Sequence, residues 1–160
     1  MLFEPPSHFF LSTGSADGGS VLNAFDRALL AAGVGDVNLV RLSSILPPGC
    51  EQVEPFELPG GSLVPTAYAE ATSSNPGETI AAAVAVAVPE NSSEPGLIME
   101  HHGVCSLDDA TGEVREMALR GMRHRERPVA DILSTGSEHV VDRHGAAFAG
   151  VVLWNGPGNP

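Results

Sequence analysis

Hydrophobic and polar positions alternate in a way that divides the chain into short elements. Residues 9–12 form an apolar run closed by Thr13-Gly14, and the turn-forming Ser15-Ala16-Asp17-Gly18-Gly19 follows, so a strand and then a loop are expected. Ser20 offers a helix cap, Val21, Phe25, Ala28, Leu29 and Ala32 recur at helical spacing, and Gly33 supplies a left-handed stop. Residues 37–46 are mostly β-branched or aliphatic and predict one strand ended by Pro47-Pro48-Gly49. The acidic, Pro/Gly-rich stretch 50–64 predicts a long loop. Strands are expected at 66–72 and 80–88 with a turn at Ser73-Ser74-Asn75-Pro76-Gly77, although the Ala/Val run at 80–88 also has the propensity for a helix. Residues 96–103 read as a strand with glycine at both ends. Val114, Met117, Ala118 and Met122 then define a helix over 112–127, with Glu116 four before Arg120 and Pro128 as its stop. Residues 138–141 and 146–154 read as a closing hairpin around Arg143-His144-Gly145. No repeat or boundary intervenes, so residues 1–160 are expected to form one α+β domain whose sheets are covered by two helices.

Composition narrows the chemistry. With 160 residues, 42% hydrophobic and 18% charged, the chain has enough apolar surface to fold without disulfides or metal. Twenty acidic residues against eight basic ones give a formal net charge of -12, which repels nucleic acid and anionic membrane and favours a cationic small ligand. All eight basic residues are arginine. Without lysine there is no pyridoxal phosphate aldimine, no lysine-dependent aldolase and no P-loop of the GxxxxGK type. The first ten residues carry no signal-peptide pattern, and the longest apolar run, 80–88, is far short of the ~20 residues that cross a bilayer. Cys50 and Cys105 stand singly, as reduced thiols of a cytoplasmic protein do. His101 and His102 would point to opposite faces of a strand, so no metal site is expected despite Cys105 nearby. Five arginines between 115 and 127 are expected to pair with carboxylates at a subunit contact.

Candidate chemistry centres on Ser43-Ser44, a hydroxyl pair that interrupts an apolar strand just before a rigid Pro-Pro. Taken alone, the pair is better read as satisfied core hydroxyls. The segment Asn38-Leu39-Val40-Arg41-Leu42-Ser43-Ser44-Ile45-Leu46-Pro47-Pro48 resembles the self-cleavage segment of the pyruvoyl-dependent arginine decarboxylases. So do, in order, Thr13-Gly14, Ala24-Phe25-Asp26-Arg27-Ala28-Leu29, Ala32-Gly33, Ala67-Tyr68-Ala69-Glu70, Ser73 to Glu78 and Met99-Glu100, matches that span residues 9 to 155.

The resemblance implies that Ser44 is the cofactor precursor and Ser43 the cleavage site. The Ser44 hydroxyl attacks the Ser43 carbonyl to give an ester, β-elimination cuts the chain, and the dehydroalanine tautomerises and loses ammonia to leave a pyruvoyl group. A β chain of residues 1–43 and an α chain of 44–160 result. A backbone-derived ketone is an electron sink that needs no lysine and no pyridoxal phosphate, in keeping with the composition. Glu100 matches the family's proton donor, and desolvation at the end of an apolar strand would keep it protonated; an arginine-paired strand-end glutamate is the plainer alternative. Asp26 matches the carboxylate that receives the substrate guanidinium, although a lone helix aspartate is also ordinary solvated surface. Asn38 matches an asparagine that supports cleavage and the cofactor carbonyl. On a straight strand it would lie about 20 Å from Ser44, at ~3.3 Å per residue, so either the strand bends or a neighbouring subunit supplies one of the two. The family further implies a four-layer αββα sandwich assembled as a trimer or pair of trimers. Its activity is decarboxylation of L-arginine to agmatine and CO2, in polyamine or agmatine metabolism or in acid resistance. The competing expectations are a decarboxylase for another basic amino acid and an uncleaved, non-catalytic oligomer that binds a cationic metabolite.

Overall fold

The Ala/Val run at 80–88 folds as a strand because both of its faces are covered. The computed structural model describes residues 4–156. In chain order its elements are β1 (His8–Asp17), α1 (Val21–Ala31), β2 (Asn38–Arg41), β3 (Ile45–Leu46), β4 (Glu51–Gln52), β5 (Leu63–Ser73), β6 (Thr79–Pro89), β7 (Gly96–Gly103), α2 (Leu107–His124), β8 (Val129–Val140) and β9 (Gly145–Trp154). They form a five-stranded sheet in the order β2-β5-β9-β1-β4 and a four-stranded sheet in the order β3-β7-β6-β8.

Three apolar layers hold the sheets and helices together. Between the sheets, Phe9, Ala67, Ala69, Ala147, Ala149 and Val151 of the larger sheet meet Ile80, Ala82, Val84, Val86 and Ile98 of the smaller one. The outer face of the larger sheet packs Phe10, Val64, Phe148 and Val152 against Ala24 and Ala28 of α1. On the outer face of the smaller sheet, Ala81, Ala83, Ala85 and Ala87 lie against Ala110, Val114, Ala118 and Met122 of α2. Helix, sheet, sheet and helix thus stack in four layers. Small alanines on β6 let a helix approach one face and a second sheet the other, so burial on both sides overrides their helix propensity.

Local signals place several boundaries as expected. Ser20 caps α1 by accepting from the Asn23 N–H, and Gly33 takes the left-handed conformation at φ 77°. β7 spans the glycine-bounded stretch.

Elsewhere tertiary pairing moves the boundaries. β1 runs through Thr13-Gly14 to Asp17, because it pairs with β9 along its whole length, from His8 opposite Trp154 to Asp17 opposite Gly145. Gly14 is required there for proximity: a Cβ would sit 2.2 Å from the Ala28 carbonyl oxygen of α1. The single strand expected over 37–46 is two, β2 in one sheet and β3 in the other. The 50–64 loop contains β4 and the first residues of β5. α2 begins at Leu107, with Ser106 capping the Asp109 N–H, and ends at His124, ahead of Pro128. β8 and β9 form no hairpin, since β8 pairs with β6 and β9 with β1 and β5.

The arginines near α2 bind backbone more than carboxylates. Arg115 donates to Ile132 O and Ser134 Oγ, Arg125 to Gly121 O and Arg127 to Pro95 O, so the expected carboxylate pairing of this group is not what holds these three. At the β8–β9 crossing, Asp17 accepts from His139 Nε2 at 2.5 Å and from the backbone N–H groups of Asp142 and Arg143 at 3.2 and 3.1 Å. Burial works against the Asp17 charge, but His139 and the two N–H groups outweigh it and hold the carboxyl below its usual range.

Candidate active site

Ser43 and Ser44 lie where the chain leaves one sheet for the other. The Leu42 N–H still donates to Thr66 O on β5 at 3.0 Å, while the Ser44 carbonyl accepts from the Ile98 N–H on β7 at 2.7 Å. Immediately after, Ile45 pairs with Leu97. The bond between the serines therefore spans the seam, with its N-terminal side tied to the larger sheet and its C-terminal side tied to the smaller. A cut there leaves each new end attached to its own sheet. Ser43 is exposed and Ser44 half-buried, and Ser44 forms a bend rather than the extended strand expected.

Glu100 stands two residues beyond Ile98 on β7, about 7 Å along the strand, and alternation puts it on the same face, toward the seam. Arg41, the last residue of β2, reaches it across the seam. Its Nη1 donates to Glu100 Oε1 at 3.3 Å and to the Tyr68 carbonyl at 3.0 Å, and its guanidinium lies 3.9 Å from the centre of the Tyr68 ring. The other carboxyl oxygen, Oε2, is buried and has no hydrogen-bond partner. Burial pushes the Glu100 carboxyl above its usual range, and the opposing pull of Arg41 and of the Tyr68 backbone does not cancel it. One anchored and one unpartnered carboxyl oxygen thus lie on the strand whose Ile98 N–H holds the Ser44 carbonyl.

The other nucleophile candidates are silent. Burial and the Glu51 charge push the Cys50 thiol up to about 11, and burial also raises Cys105, next to Asp109 and Glu138. Neither is a ready thiolate near neutrality. Among the described residues no group of three or more His, Cys, Asp or Glu has the placement to hold a metal ion.

Asn38 and Asp26 do not join Ser44 and Glu100 within one copy. Asn38 is exposed at the start of β2, and its Nδ2 donates to Gly61 O at 3.0 Å. Asp26 projects from α1, on the outer face of the larger sheet, between Leu22 and Leu30, which are 75% and 53% exposed. Two surface clefts, one lined by Leu46, Pro47, Cys50 and Val88 and the other by Leu30, Asp36, Glu57 and Leu58, include neither serine nor Glu100. The chemistry, not the concavity, marks the site.

A family model described as pyruvoyl-dependent arginine decarboxylase matches residues 8–155. This chain belongs to that family. It is 50% identical over 152 residues to the pyruvoyl-dependent arginine decarboxylase of Methanocaldococcus jannaschii, covering 95% of this chain and 92% of that one. It is 41% identical over 156 residues to that of Thermococcus kodakarensis, covering 96% and 99%. Among solved structures, a pyruvoyl-dependent histidine decarboxylase at pH 8 is similar with a TM-score of 0.54 at 15% identity, over 62% of this chain and 54% of that one, a likeness of fold alone.

Set in this family of decarboxylases, the serine pair and Glu100 occupy one seam, whereas Asn38 and Asp26 face outward. Arg41 and Tyr68 were not singled out by sequence reasoning. Arg41 did carry a signal, as the one charged residue in the otherwise apolar or neutral stretch 37–46.

Proposed function

We propose that this protein decarboxylates L-arginine to agmatine and CO2 after cutting itself between Ser43 and Ser44. The observation that carries this is the serine pair at the seam between sheets, one strand away from the half-buried Glu100, in a chain of this family. Ser44 supplies the attacking hydroxyl and then the pyruvoyl group, and that group provides the electron sink for loss of the carboxylate. The Ile98 N–H holds the Ser44 carbonyl before cleavage and remains in place to hold it afterwards. Glu100 returns a proton to the substrate α-carbon from the oxygen that has no partner in the protein.

Asp26 and Asn38 enter from a neighbouring copy. Exposed Leu22 and Leu30 flanking Asp26 at helical spacing support a subunit contact on this face of α1, with the carboxylate at its centre to receive a guanidinium. The assembly is a trimer or a pair of trimers of cleaved protomers, each made of residues 1–43 and 44–160.

Purified protein is followed by denaturing gel and intact mass while CO2 release is measured from carboxyl-labelled arginine, lysine and ornithine. Two fragments meeting at Ser43/Ser44 and release that favours arginine support the proposal. A single 16.6 kDa species after prolonged incubation, or release that favours another amino acid, overturns it.

A further inference from the structure

The contacts around Glu100 raise a question that the serine chemistry does not answer: what decides which of its two oxygens carries the proton. We propose that Arg41 is the positioning residue of the proton donor, anchoring Oε1 of Glu100 so that Oε2 is the oxygen that bears and delivers the proton. This rests on the reading of Glu100 as the donor.

The geometry supports it in three ways. First, Arg41 is itself held. Its guanidinium is stacked 3.9 Å over the Tyr68 ring, and that ring in turn packs against the fully buried Phe148 with 5.6 Å between centres. Its Nη1 is also fixed to the Tyr68 carbonyl, so the cation is on a rigid platform although its side chain is 47% exposed. Second, Arg41 and Glu100 come from different sheets, and the same seam carries the serine pair; the guanidinium is two residues from Ser43 and Glu100 two residues from Ile98, which holds the Ser44 carbonyl. Third, the hydrogen bond assigns the proton. In a neutral carboxyl the carbonyl oxygen accepts and the hydroxyl oxygen donates. The oxygen that accepts from Arg41 is the carbonyl, which leaves the hydroxyl at Oε2, the buried atom without a partner in the protein. A buried polar atom left unpaired is costly, and a donor waiting for its acceptor on the substrate is a reason for one to persist.

Arg41 also sets how readily that proton is held. The groups that face Glu100 include Arg41 from β2, the Tyr68 backbone from β5, Val84 opposite on β6, and His102 two residues along the same face of β7. Burial raises the Glu100 carboxyl and Arg41 pulls it back down. Removing the guanidinium therefore both frees the carboxyl to turn and raises its titration. A lysine keeps the charge but has no planar fork to stack on Tyr68 while bridging two oxygens.

The first test avoids turnover and maturation. In the uncut Ser44→Ala protein with 13C-labelled glutamate carboxyls, the Glu100 signal is assigned by its absence in Glu100→Gln and titrated by NMR. Arg41→Ala moves that titration to higher pH, and Arg41→Lys leaves it near the parent. The second test uses the self-cleaving protein. Arg41→Ala lowers kcat by ~10- to ~10²-fold with little change in KM, the scale of a reacting group displaced by about an ångström, while the alkaline limb of kcat moves to higher pH. Arg41→Lys restores the limb and part of kcat. A variant that does not self-cleave is still decided by the first test. An unmoved Glu100 titration in Arg41→Ala, or a loss confined to KM, overturns the inference. Intact turnover in Glu100→Gln instead overturns the reading of Glu100 as donor, so the two failures are told apart.

Discussion

Replacing Glu100 by Gln removes the titratable proton while keeping shape, and two separate losses follow from its surroundings. The first is catalytic. A positioned general acid contributes ~10² to ~10⁴ in rate, or about 2.7 to 5.4 kcal/mol of barrier at 1.36 kcal/mol per tenfold. Gln still accepts from Arg41 through its carbonyl, so the carboxamide stays in place and substrate binding is little altered. The second loss is in the pH dependence of stability. Burial raises the folded-state titration of Glu100 above its ordinary 4.5. The folded protein therefore binds this proton more tightly than the unfolded chain does. Its contribution to stability is fully present below about 4.5 and fades as pH rises through the folded value. Gln cannot titrate, so this slope disappears in the variant.

Self-cleavage is first verified by intact mass, then initial rates of CO2 release from labelled arginine are compared at saturating substrate. Denaturation midpoints are followed across pH at one protein concentration, because assembly makes them concentration-dependent. A rate within a few-fold of the parent removes Glu100 from proton transfer. A pH slope of the midpoint identical in parent and variant shows that Glu100 is not the buried, uncompensated acid described above.

Three further outcomes are expected. Ser44→Ala leaves a single uncut chain by mass spectrometry, whereas Ser44→Cys cuts more slowly through a thioester; fragments from Ser44→Ala would place the nucleophile elsewhere. Asp26→Asn still self-cleaves but loses about 2 to 4 kcal/mol in kcat/KM for arginine and much of its preference over lysine, which cannot make a planar paired contact; an unchanged arginine-to-lysine ratio means another group reads the side chain. Asp17→Asn keeps one oxygen for the Asp142 and Arg143 N–H groups but replaces the charged oxygen facing His139 by an amide NH2, and lowers stability at pH 7 by about 1 to 3 kcal/mol. Because the folded Asp17 titrates below its ordinary 3.8, that contribution is present above this value and fades as pH falls through the folded one; the parent's advantage over Asp17→Asn, read as the difference in denaturation midpoint, should therefore shrink in acid, and a difference that grew would refute the pairing.

Features whose cause is local were legible in the residues. The Ser20 cap, the 3.6-residue recurrence and the Gly33 stop define α1 because each acts within a turn or two of itself. β7 is likewise set by its two glycines and apolar run, and the Ser43-Ser44 and Met99-Glu100 motifs are contiguous in the chain. The start of α2 is read five residues late: periodicity alone places it at 112, whereas Ser106 caps the Asp109 N–H and Ala110 adds a first turn to the face packed by Val114 and Ala118.

What only tertiary structure decided involves partners far apart in the chain. Gly14 reads as a strand end, yet the strand passes through it because α1 presses close enough to exclude any Cβ. Residues 37–46 read as one strand, yet Thr66 claims Leu42 and Ile98 claims Ser44, and the two lie in different sheets. β8 and β9 are neighbours in sequence but find better-buried partners in opposite sheets. The site follows the same rule: Arg41 and Glu100 are 59 positions apart, and neither residue type nor spacing foretells that they meet. Periodicity reports which face of an element is buried; it does not report against what. The seam where the serines, Arg41 and Glu100 converge exists only because two sheets that bury a common alanine-rich core hold opposite ends of one short crossing.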